Sequence, residues 1–167
     1  MKNTCRNGHI DIIKYLHQKL GLTRQDFDYL DYLICIFVCA NGHMNVLKYL
    51  YRNVGLTKQN FRSNNHETLE LVCQYGHDNV IKYLHKVVEF TKEDIQSNNN
   101  NAFKYACING HLNIVRYLHE IIGLTKQDLQ LFDCSLFGFT PNKIVAEYLT
   151  HNIGVIIKEP IFRLFKL

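Results

Sequence analysis

Cysteine and histidine recur together along this chain at a spacing that suggests metal chemistry. Each of four cysteines is followed four residues later by a histidine, in the pairs Cys5–His9, Cys39–His43, Cys73–His77 and Cys107–His111. Thiolate and imidazole are ligands that Zn²⁺ prefers, provided that four of them converge within about 2.0–2.3 Å of one ion. Their convergence depends on the elements that carry them.

Two sets of basic residues recur with the same spacing. One set falls on predicted helices and the other in the segments that connect them: Lys14, Lys48, Lys82 and Arg116, then Arg24, Lys58, Lys92 and Lys126. Such stripes could bind the phosphates of a nucleic acid or another polyanion. However, Asp26, Asp94 and Asp128 lie two residues beyond three of the connecting bases, the net charge is only +4, and no aromatic residues for base stacking are interleaved. We favour a solvated face, with polyanion binding as the alternative.

No arrangement of residues is typical of an enzyme. Phosphate-binding glycine loops, His-Glu-x-x-His and Gly-x-Ser-x-Gly do not occur in the sequence. Asp31 and Glu67 are single carboxylates on a repeated scaffold, where such residues usually serve solubility. We predict that the chain catalyses no reaction and binds no cofactor.

All these residues recur because the sequence itself repeats. The segment 107–128, CINGHLNIVRYLHEIIGLTKQD, has close copies that begin at Cys73, Cys39 and Cys5, each displaced by 34 residues without an insertion. Self-similarity at a period of this size is typical of stacked supersecondary units. We divide an array over 1–158 into five repeats and leave a short tail at 159–167. The five are a partial first repeat (1–26), complete second, third and fourth repeats (27–60, 61–94 and 95–128) and a degraded, capping fifth repeat (129–158).

Each unit is predicted to contain two helices. In HLNIVRYLHEII, apolar residues recur every three or four positions, which predicts an amphipathic helix that ends at Gly123. The shorter NAFKYACIN predicts a first helix that stops at Gly110. Thr125 and Asp128 have capping-box spacing and predict a helical turn, and the asparagines of 97–101 predict a tight turn with left-handed backbone. The predicted fold class is all-α, a solenoid of helix-turn-helix repeats with a period of 34.

This architecture argues against a metal site or a disulfide built from the repeated cysteines. Equivalent positions of stacked helices stand about 8–10 Å apart, whereas a disulfide needs Cα atoms about 4.4–6.8 Å apart. We therefore predict that the cysteines are small buried hydrophobes and that the histidines are the polar first residues of the second helices. No metal is expected.

A helix, Ala-Cys-x-x-Gly-His, a second helix with Ile-Val-x-x-Leu, and then Gly-Leu resemble the ankyrin repeat, here one residue longer than its usual 33. The wording NGHLNIVRYLHE..GLTK is most similar to the ankyrin-repeat proteins of giant amoeba-infecting DNA viruses, such as mimivirus. The resemblance implies a protein-interaction scaffold that binds a partner through its concave face. A viral setting would place it in the host cytoplasm, with a host protein as partner.

One departure from the family pattern concerns its Thr-Pro-Leu-His tetrapeptide. That tetrapeptide falls on 101–104 (NAFK) and 67–70 (ETLE), where only the apolar third position survives. We expect the β-hairpin fingers of ankyrin proteins to be weak or absent here. The asparagine-rich turns and the Thr-x-x-Asp box are expected to replace part of the lost stabilisation.

The resemblance also implies which residues bind a partner, because ankyrin proteins usually use the turn tips and the exposed side of the first helix. Carried over to this sequence, the protein-binding residues are Tyr29, Leu30, Tyr32, Ser63, Asn64, His66, Gln74, Tyr75, Ser97, Asn98, Asn100, Ile108 and Asn109. Tyr29, Leu30, Tyr32 and Tyr75 are large residues at otherwise polar tips and resemble interface anchors. For Leu30, burial against the next repeat is an equal alternative.

Two further expectations concern location and the start of the chain. No segment resembles a signal peptide or reaches the roughly 18 apolar residues of a membrane helix, so we expect a soluble intracellular protein. The first repeat lacks most of its first helix, which should leave Ile10, Ile12, Ile13 and Leu16 partly uncovered. Either the array is shortened, or a partner or second copy covers this end by self-association.

Overall fold

A computed structural model describes residues 2–21, 23, 31–62, 66–128 and 142–155 of the protein. Every regular element in these ranges is helical, as the repeat pattern predicts, and they contain no strand. In chain order the elements are α1 (Lys2–Arg6), α2 (Ile10–Lys19), α3 (Asp31–Ala40), α4 (Met44–Tyr49) with a π turn (Leu50–Val54), α5 (Lys58–Arg62), α6 (Glu67–Tyr75), α7 (Asp78–Lys86), α8 (Lys92–Ile108), α9 (Leu112–Glu120) and α10 (Lys143–Tyr148) with a second π turn (Leu149–Ile153).

The helices form two layers that follow the repeats. Helices α1, α3, α6 and α8 are the first helices of successive repeats, and each contacts the next along the array. Helices α2, α4, α7, α9 and α10 form the second layer, in which α2 contacts α4, α7 contacts α9, and α9 contacts α10. Neighbouring repeats therefore bury one another's apolar faces.

The core lies between the layers and is built from equivalent positions of successive repeats. Leu84, Cys107, Val115 and Leu118 are fully buried, as the helical periodicity predicts. On the outer side Arg116 is exposed, and the side chain of Lys82 keeps 45% of its surface accessible. The predicted faces of the second helices are confirmed at these positions.

Helix α8 contains the predicted asparagine turn. The backbone is extended at Ser97, and Asn98, Asn99 and Asn100 take left-handed φ values of 51°, 55° and 60°. Asparagine tolerates this conformation better than other residues with a Cβ. The turn separates the connecting helix at Lys92 from the first helix of the fourth repeat.

The connecting segments are held by the predicted capping boxes. The backbone N–H of Thr91 donates to Asp94 Oδ2 at 2.7 Å, and the Asp94 N–H donates back to Thr91 Oγ1 at 3.4 Å. Thr125 donates to Asp128 in the same way, also at 2.7 Å from its backbone N–H. The connecting turns after α7 and α9 are thus stabilised locally.

Residues that replace the family tetrapeptide form a different network. Glu70 and Lys104 occupy its fourth position in successive repeats, and the charge of Glu70 acts on Lys104. Asn98 donates its side-chain amide to Glu70 Oε1 at 2.7 Å. The asparagine-rich turn therefore contributes to the contact between repeats, and the replacement of lost stabilisation stays a prediction.

The start of the array differs in part from the expectation. Ile12 is 49% exposed, and Ile10 and Leu16 are partly buried, but Ile13 is fully buried. The prediction for Ile13 was wrong because consecutive residues of a helix point about 100° apart, so Ile13 joins the core when Ile12 faces the open side. None of the described helices is both long and apolar enough to cross a bilayer.

Candidate protein interface

Three of the four histidines in the Cys-x-x-x-His spacings, those of the second, third and fourth repeats, join their repeat to the preceding one. The ring Nε2 of each donates to a backbone carbonyl near the end of the previous first helix: His43 to Arg6 at 2.8 Å, His77 to Ala40 at 2.8 Å and His111 to Gln74 at 2.9 Å. Each ring is thus committed to a carbonyl oxygen. Across the described ranges, no three potential metal-binding side chains come together.

In the first three repeats, the glycine before the histidine makes room for the histidine of the next repeat. Gly76 has a φ of 79°, and a Cβ added there would lie 2.5 Å from the ring of His111. Gly42 meets His77 in the same way, at 2.6 Å. We call the carbonyl bond and the ring packing together the Gly–His contact. The sequence predicted a polar helix start at these histidines but missed this contact, although the recurring Gly-His pair was its signal.

The repeated cysteines are buried inside the core as free thiols. Burial raises the pKa of Cys5 to about 11 and that of Cys73 to about 12, and it also raises the pKa of Cys39. A thiol needs to ionise before it can bind a metal or act as a nucleophile. At neutral pH these cysteines are therefore inert core residues.

A second histidine position forms hydrogen bonds between repeats that the sequence analysis missed. The Nδ1 atoms of His17, His85 and His119 each lie 2.8 Å from the hydroxyl of the tyrosine in the next second helix, namely Tyr49, Tyr117 and Tyr148. We call these the His–Tyr pairs. The available signal was the recurring motif KYLH or RYLH, which contains both the tyrosine and the histidine.

One junction lacks the His–Tyr pair because Tyr51 stands at the histidine position. The rings of Tyr51 and Tyr83 pack edge to face with centroids 6.3 Å apart. Within the described part of the chain, no atom meets the buried hydroxyl of Tyr83 in hydrogen-bonding geometry. Burial raises the pKa of Tyr83, and the nearby Arg52 guanidinium opposes that rise. The Tyr51 hydroxyl instead donates to the Val87 carbonyl at 3.2 Å.

The two recurring sets of basic residues, which we call the basic ladders, are partly neutralised by neighbouring carboxylates. Lys92 lies 2.7 Å from Asp128 Oδ2 and also donates to the Gly123 carbonyl at 3.0 Å. Lys82 pairs with Asp78 at 2.9 Å. The ladders are consequently not continuous rows of unpaired cations.

Several predicted partner-binding residues lie outside the described ranges. These are Tyr29, Leu30, Ser63 and Asn64, and the side chain of Tyr32 belongs with them although its backbone is part of α3. Their assignment stays a prediction from the resemblance.

Four other predicted residues at the turn tips bond to the scaffold. His66 Nε2 lies 3.2 Å from Asp94 Oδ1, and the Ser97 hydroxyl donates to the Asp94 carbonyl at 2.7 Å. Asn98 is held by Glu70, while Asn100 is buried and donates to the Asp128 carbonyl at 3.0 Å. The structure thus gives these side chains roles in holding the turns to the connecting segments, and Asn98 also joins the fourth repeat to the third.

The remaining predicted residues lie together at the ends of the first helices. Gln74 and Ile108 are partly buried, Asn109 is exposed, and Tyr75 is exposed to 56% of its surface. Tyr75 is the largest of them and borders a groove of about 500 Å³ between α3 and α6. Its lining residues are Arg6, Ile36, Phe37, Ala40, Asn41, Leu71, Tyr75 and His77.

This first-helix groove has apolar walls and a cation at its edge. Phe37 and Leu71 are equivalent residues of successive repeats, and the Arg6 guanidinium lies 5.6 Å from the centre of the Phe37 ring. Arg6, Phe37 and Leu71 were not among the residues predicted from the sequence. For Phe37 and Leu71 the available signal was the change from Phe37 to Leu71 to Tyr105 at one position of an otherwise repeated helix.

Tyr75 also departs from the residue that its position usually holds. The equivalent residues are asparagines, and the amides of Asn41 and Asn109 donate to the carbonyls of Phe37 and Tyr105 at 2.8 and 2.9 Å. These bonds satisfy carbonyls at the end of the helix. At Tyr75 the helix loses that bond and gains an exposed aromatic ring.

Comparisons with known proteins agree with this architecture. The family model described as ankyrin repeats matches residues 35–133 in three copies. A search of curated proteins returned no match, and a search of solved structures returned none either. The family match covers more than half of the chain, and the matched residues include the Gly–His contacts of the third and fourth repeats. The chain therefore belongs to the ankyrin-repeat family.

Proposed function

We propose that this protein is a non-catalytic scaffold that binds a partner protein in the first-helix groove. The observation that carries the proposal is Tyr75, whose aromatic ring is exposed at a position where the equivalent residues cap their helix. Membership of the ankyrin-repeat family supports it, since ankyrin repeats generally mediate protein–protein interaction. Exposed aromatic residues are enriched among the residues that dominate binding energy at protein interfaces.

The lining of the groove favours a particular kind of partner segment. Phe37, Leu71 and Tyr75 offer a surface for an apolar side chain. Arg6 and the Tyr75 hydroxyl stand beside that surface and offer hydrogen-bond donors, which match a carboxylate. The best fit is therefore a segment in which an acidic residue flanks an apolar anchor.

The setting of this interaction is also a proposal. The resemblance in wording to ankyrin-repeat proteins of giant amoeba-infecting viruses supports a role in the cytoplasm of an infected cell. The partner in that setting is a host protein.

Site-specific photocrosslinking tests the position of the interface. A photoreactive phenylalanine analogue replaces Tyr75, and in a matched protein it replaces Tyr15, which is 58% exposed on the second helix of the first repeat. We expect partner proteins to crosslink at position 75 and not at position 15.

Alanine variants then test the energetic role of the same residue. Tyr75→Ala is expected to weaken binding of the crosslinked partner by at least about tenfold, as at an interface hot spot. Tyr15→Ala should leave the affinity within about twofold. Equal crosslinking at both positions, or an affinity that Tyr75→Ala leaves unchanged, would show that the first-helix groove is not the interface.

A further inference from the structure

A second groove lies on the opposite layer, between the second helices of the first and second repeats. It has a volume of about 310 Å³ and is lined by Ile10, Lys14, Asn45, Lys48, Tyr49, Arg52 and Asn53. Three of these residues carry positive charge, two carry side-chain amides, and none is acidic. We call it the basic groove.

No ion pair among the residues that the structure describes neutralises the charge of the basic groove. The ion pairs among the described residues involve Arg62, His66, Lys82 and Lys92, and none involves Lys14, Lys48 or Arg52. Asp11 on α2 is the acidic residue nearest to Lys14 in sequence, but it does not line the groove. The three cations therefore face solvent together.

Lys82, Lys86 and Arg116 continue the basic residues along the second-helix layer, but carboxylates accompany them there. One repeat later, Asp78 pairs with Lys82 at 2.9 Å, at the position that Ile10 and Met44 hold in the earlier repeats. Two repeats later, Glu120 stands at the position of Arg52 and accepts a hydrogen bond from the Tyr148 hydroxyl at 2.9 Å. A long polyanion that followed the ladder would meet these carboxylates, whereas a compact anion would not.

Lys14 and Arg52 each interact with a tyrosine of the next second helix, Lys14 with Tyr49 and Arg52 with Tyr83. The Lys14 ammonium lies 6.0 Å from the centre of the Tyr49 ring, whose hydroxyl is fixed by His17 at 2.8 Å. Arg52 lies within the π turn that follows α4. Such turns are widened by one residue and often occur at functional positions.

We propose that the basic groove binds a compact phosphate group, either free as a small polyphosphate or carried on a phosphorylated side chain. Arginine and lysine together with amide donors supply charge-assisted hydrogen bonds to phosphate oxygens. The site is separate from the first-helix groove, so a ligand here leaves the proposed protein interface open.

Titration with inorganic pyrophosphate at constant ionic strength, followed by amide chemical shifts, tests this inference. Shifts are expected at Lys14, Lys48 and Arg52 and at the groove asparagines, with chloride as the reference salt. The triple variant Lys14→Gln, Lys48→Gln and Arg52→Gln should weaken binding by at least about tenfold. The matched triple variant Lys82→Gln, Lys86→Gln and Arg116→Gln removes the same charge further along the array and should change the affinity by less than about twofold.

Two more ligands show whether the phosphate is free or carried on a side chain, and whether the groove or the whole basic surface binds it. A phosphoserine peptide that binds in the groove when its unphosphorylated form does not would assign a modified side chain as ligand, whereas binding of pyrophosphate alone would assign a small anion. In the competing outcome, a single-stranded oligonucleotide binds more tightly as its length increases and loses the same affinity in both triple variants. That result would contradict the proposal and indicate general polyanion binding. Pyrophosphate shifts spread evenly over the surface would also overturn the proposal.

Discussion

The junction between the second and third repeats differs from the next junction in one side-chain contact, because the Tyr51 hydroxyl donates to the Val87 carbonyl where the later junction has a histidine–tyrosine bond. Both junctions contain the Gly–His contact, in which His77 and His111 reach carbonyls of the preceding repeat at 2.8 and 2.9 Å. At the later junction His85 also pairs with Tyr117. The earlier junction has Tyr51 at that position, and its ring packs against Tyr83 without a hydrogen bond between them.

The difference shows which contacts between repeats tolerate sequence change. The Gly–His contact needs one histidine, one glycine and a carbonyl that any residue provides. The His–Tyr pair needs two matching side chains, so one substitution removes it. At the earlier junction, packing of Tyr51 against Phe61, with ring centroids 6.2 Å apart, partly replaces the lost bond.

The largest expected effect is the loss of stability when a buried leucine is truncated, and it should be similar on both sides of the later junction. Leu84 and Leu118 are equivalent and fully buried, so Leu84→Ala and Leu118→Ala should each lower the free energy of unfolding by roughly 2–5 kcal/mol. Lys82→Ala, on the solvent side, should change it by less than about 0.5 kcal/mol. Urea unfolding followed by circular dichroism measures all three. A lysine effect as large as the leucine effects would contradict the assignment of faces.

The next effect tests the Gly–His contact. Gly76→Ala should cost roughly 2–3 kcal/mol, of which about 1–2 comes from left-handed backbone and about 1 from the displaced His111 bond. Gly123 has a φ of 80° but open space around its Cβ position, so Gly123→Ala should show the backbone cost alone.

The double variant Gly76→Ala, His111→Ala separates the two contributions. Because the alanine at 111 removes the ring that the new Cβ would strike, the double variant should cost less than the sum of the single changes. Strict additivity would mean that the glycine is needed for its backbone alone.

A smaller effect distinguishes the junctions directly. Tyr117→Phe removes the bond to His85 and should cost about 1 kcal/mol, whereas Tyr83→Phe removes a buried hydroxyl that no described atom meets in hydrogen-bonding geometry and should cost nothing or stabilise slightly. In a Tyr51→His background, Tyr83→Phe should acquire a cost close to that of Tyr117→Phe. Equal costs in the natural background would show that the two junctions are alike.

The smallest effect concerns the connecting segments and depends on pH. Burial opposes ionisation of Asp128, but the Lys92 ammonium and Thr125 outweigh it and hold the pKa of this carboxyl well below its usual range. A lowered folded-state pKa stabilises the fold above about pH 4, and this stability is lost progressively as the pH falls further.

Asp128→Asn should therefore lower the free energy of unfolding at pH 6 by less than about 1 kcal/mol, the range of partly exposed ion pairs. The difference from the unchanged protein should shrink below about pH 4. Glu147→Gln, at an exposed position, serves as the control and should show no such trend. A difference that stays constant down to pH 2.5 would mean that the carboxylate charge does not matter.

The helices, their inward faces and the asparagine turn could be predicted because local sequence determines them. Apolar spacing assigned Leu84 and Leu118 to the core, and asparagine's tolerance of left-handed backbone indicated the turn at 97–101. Ile13 was misassigned because a whole helix face was taken as uncovered, when only the side around Ile12 lacks a neighbour. The histidines were identified as helix starts, yet their bonds span more than 30 residues and are not visible in a local pattern.

The candidate interface was predictable in only one part. Tyr75 stood out because a large aromatic residue replaced the asparagine of the other repeats. Arg6 and Phe37 did not, because a groove between repeats is shaped by residues that are distant in sequence. The tips at His66 and Asn100 were assigned to a partner by resemblance, whereas their bonds to Asp94 and Asp128 are tertiary contacts.

The missing His–Tyr pair between the second and third repeats also bears on cooperativity. In an array where each repeat contacts only its neighbours, unfolding is governed by the coupling between adjacent units. At the junction of the second and third repeats this coupling runs through Tyr51 instead, to the Val87 carbonyl and to the ring of Tyr83. The same junction lies between α3 and α6, whose residues line the first-helix groove, so a partner bound there would contact both sides of it and strengthen their coupling.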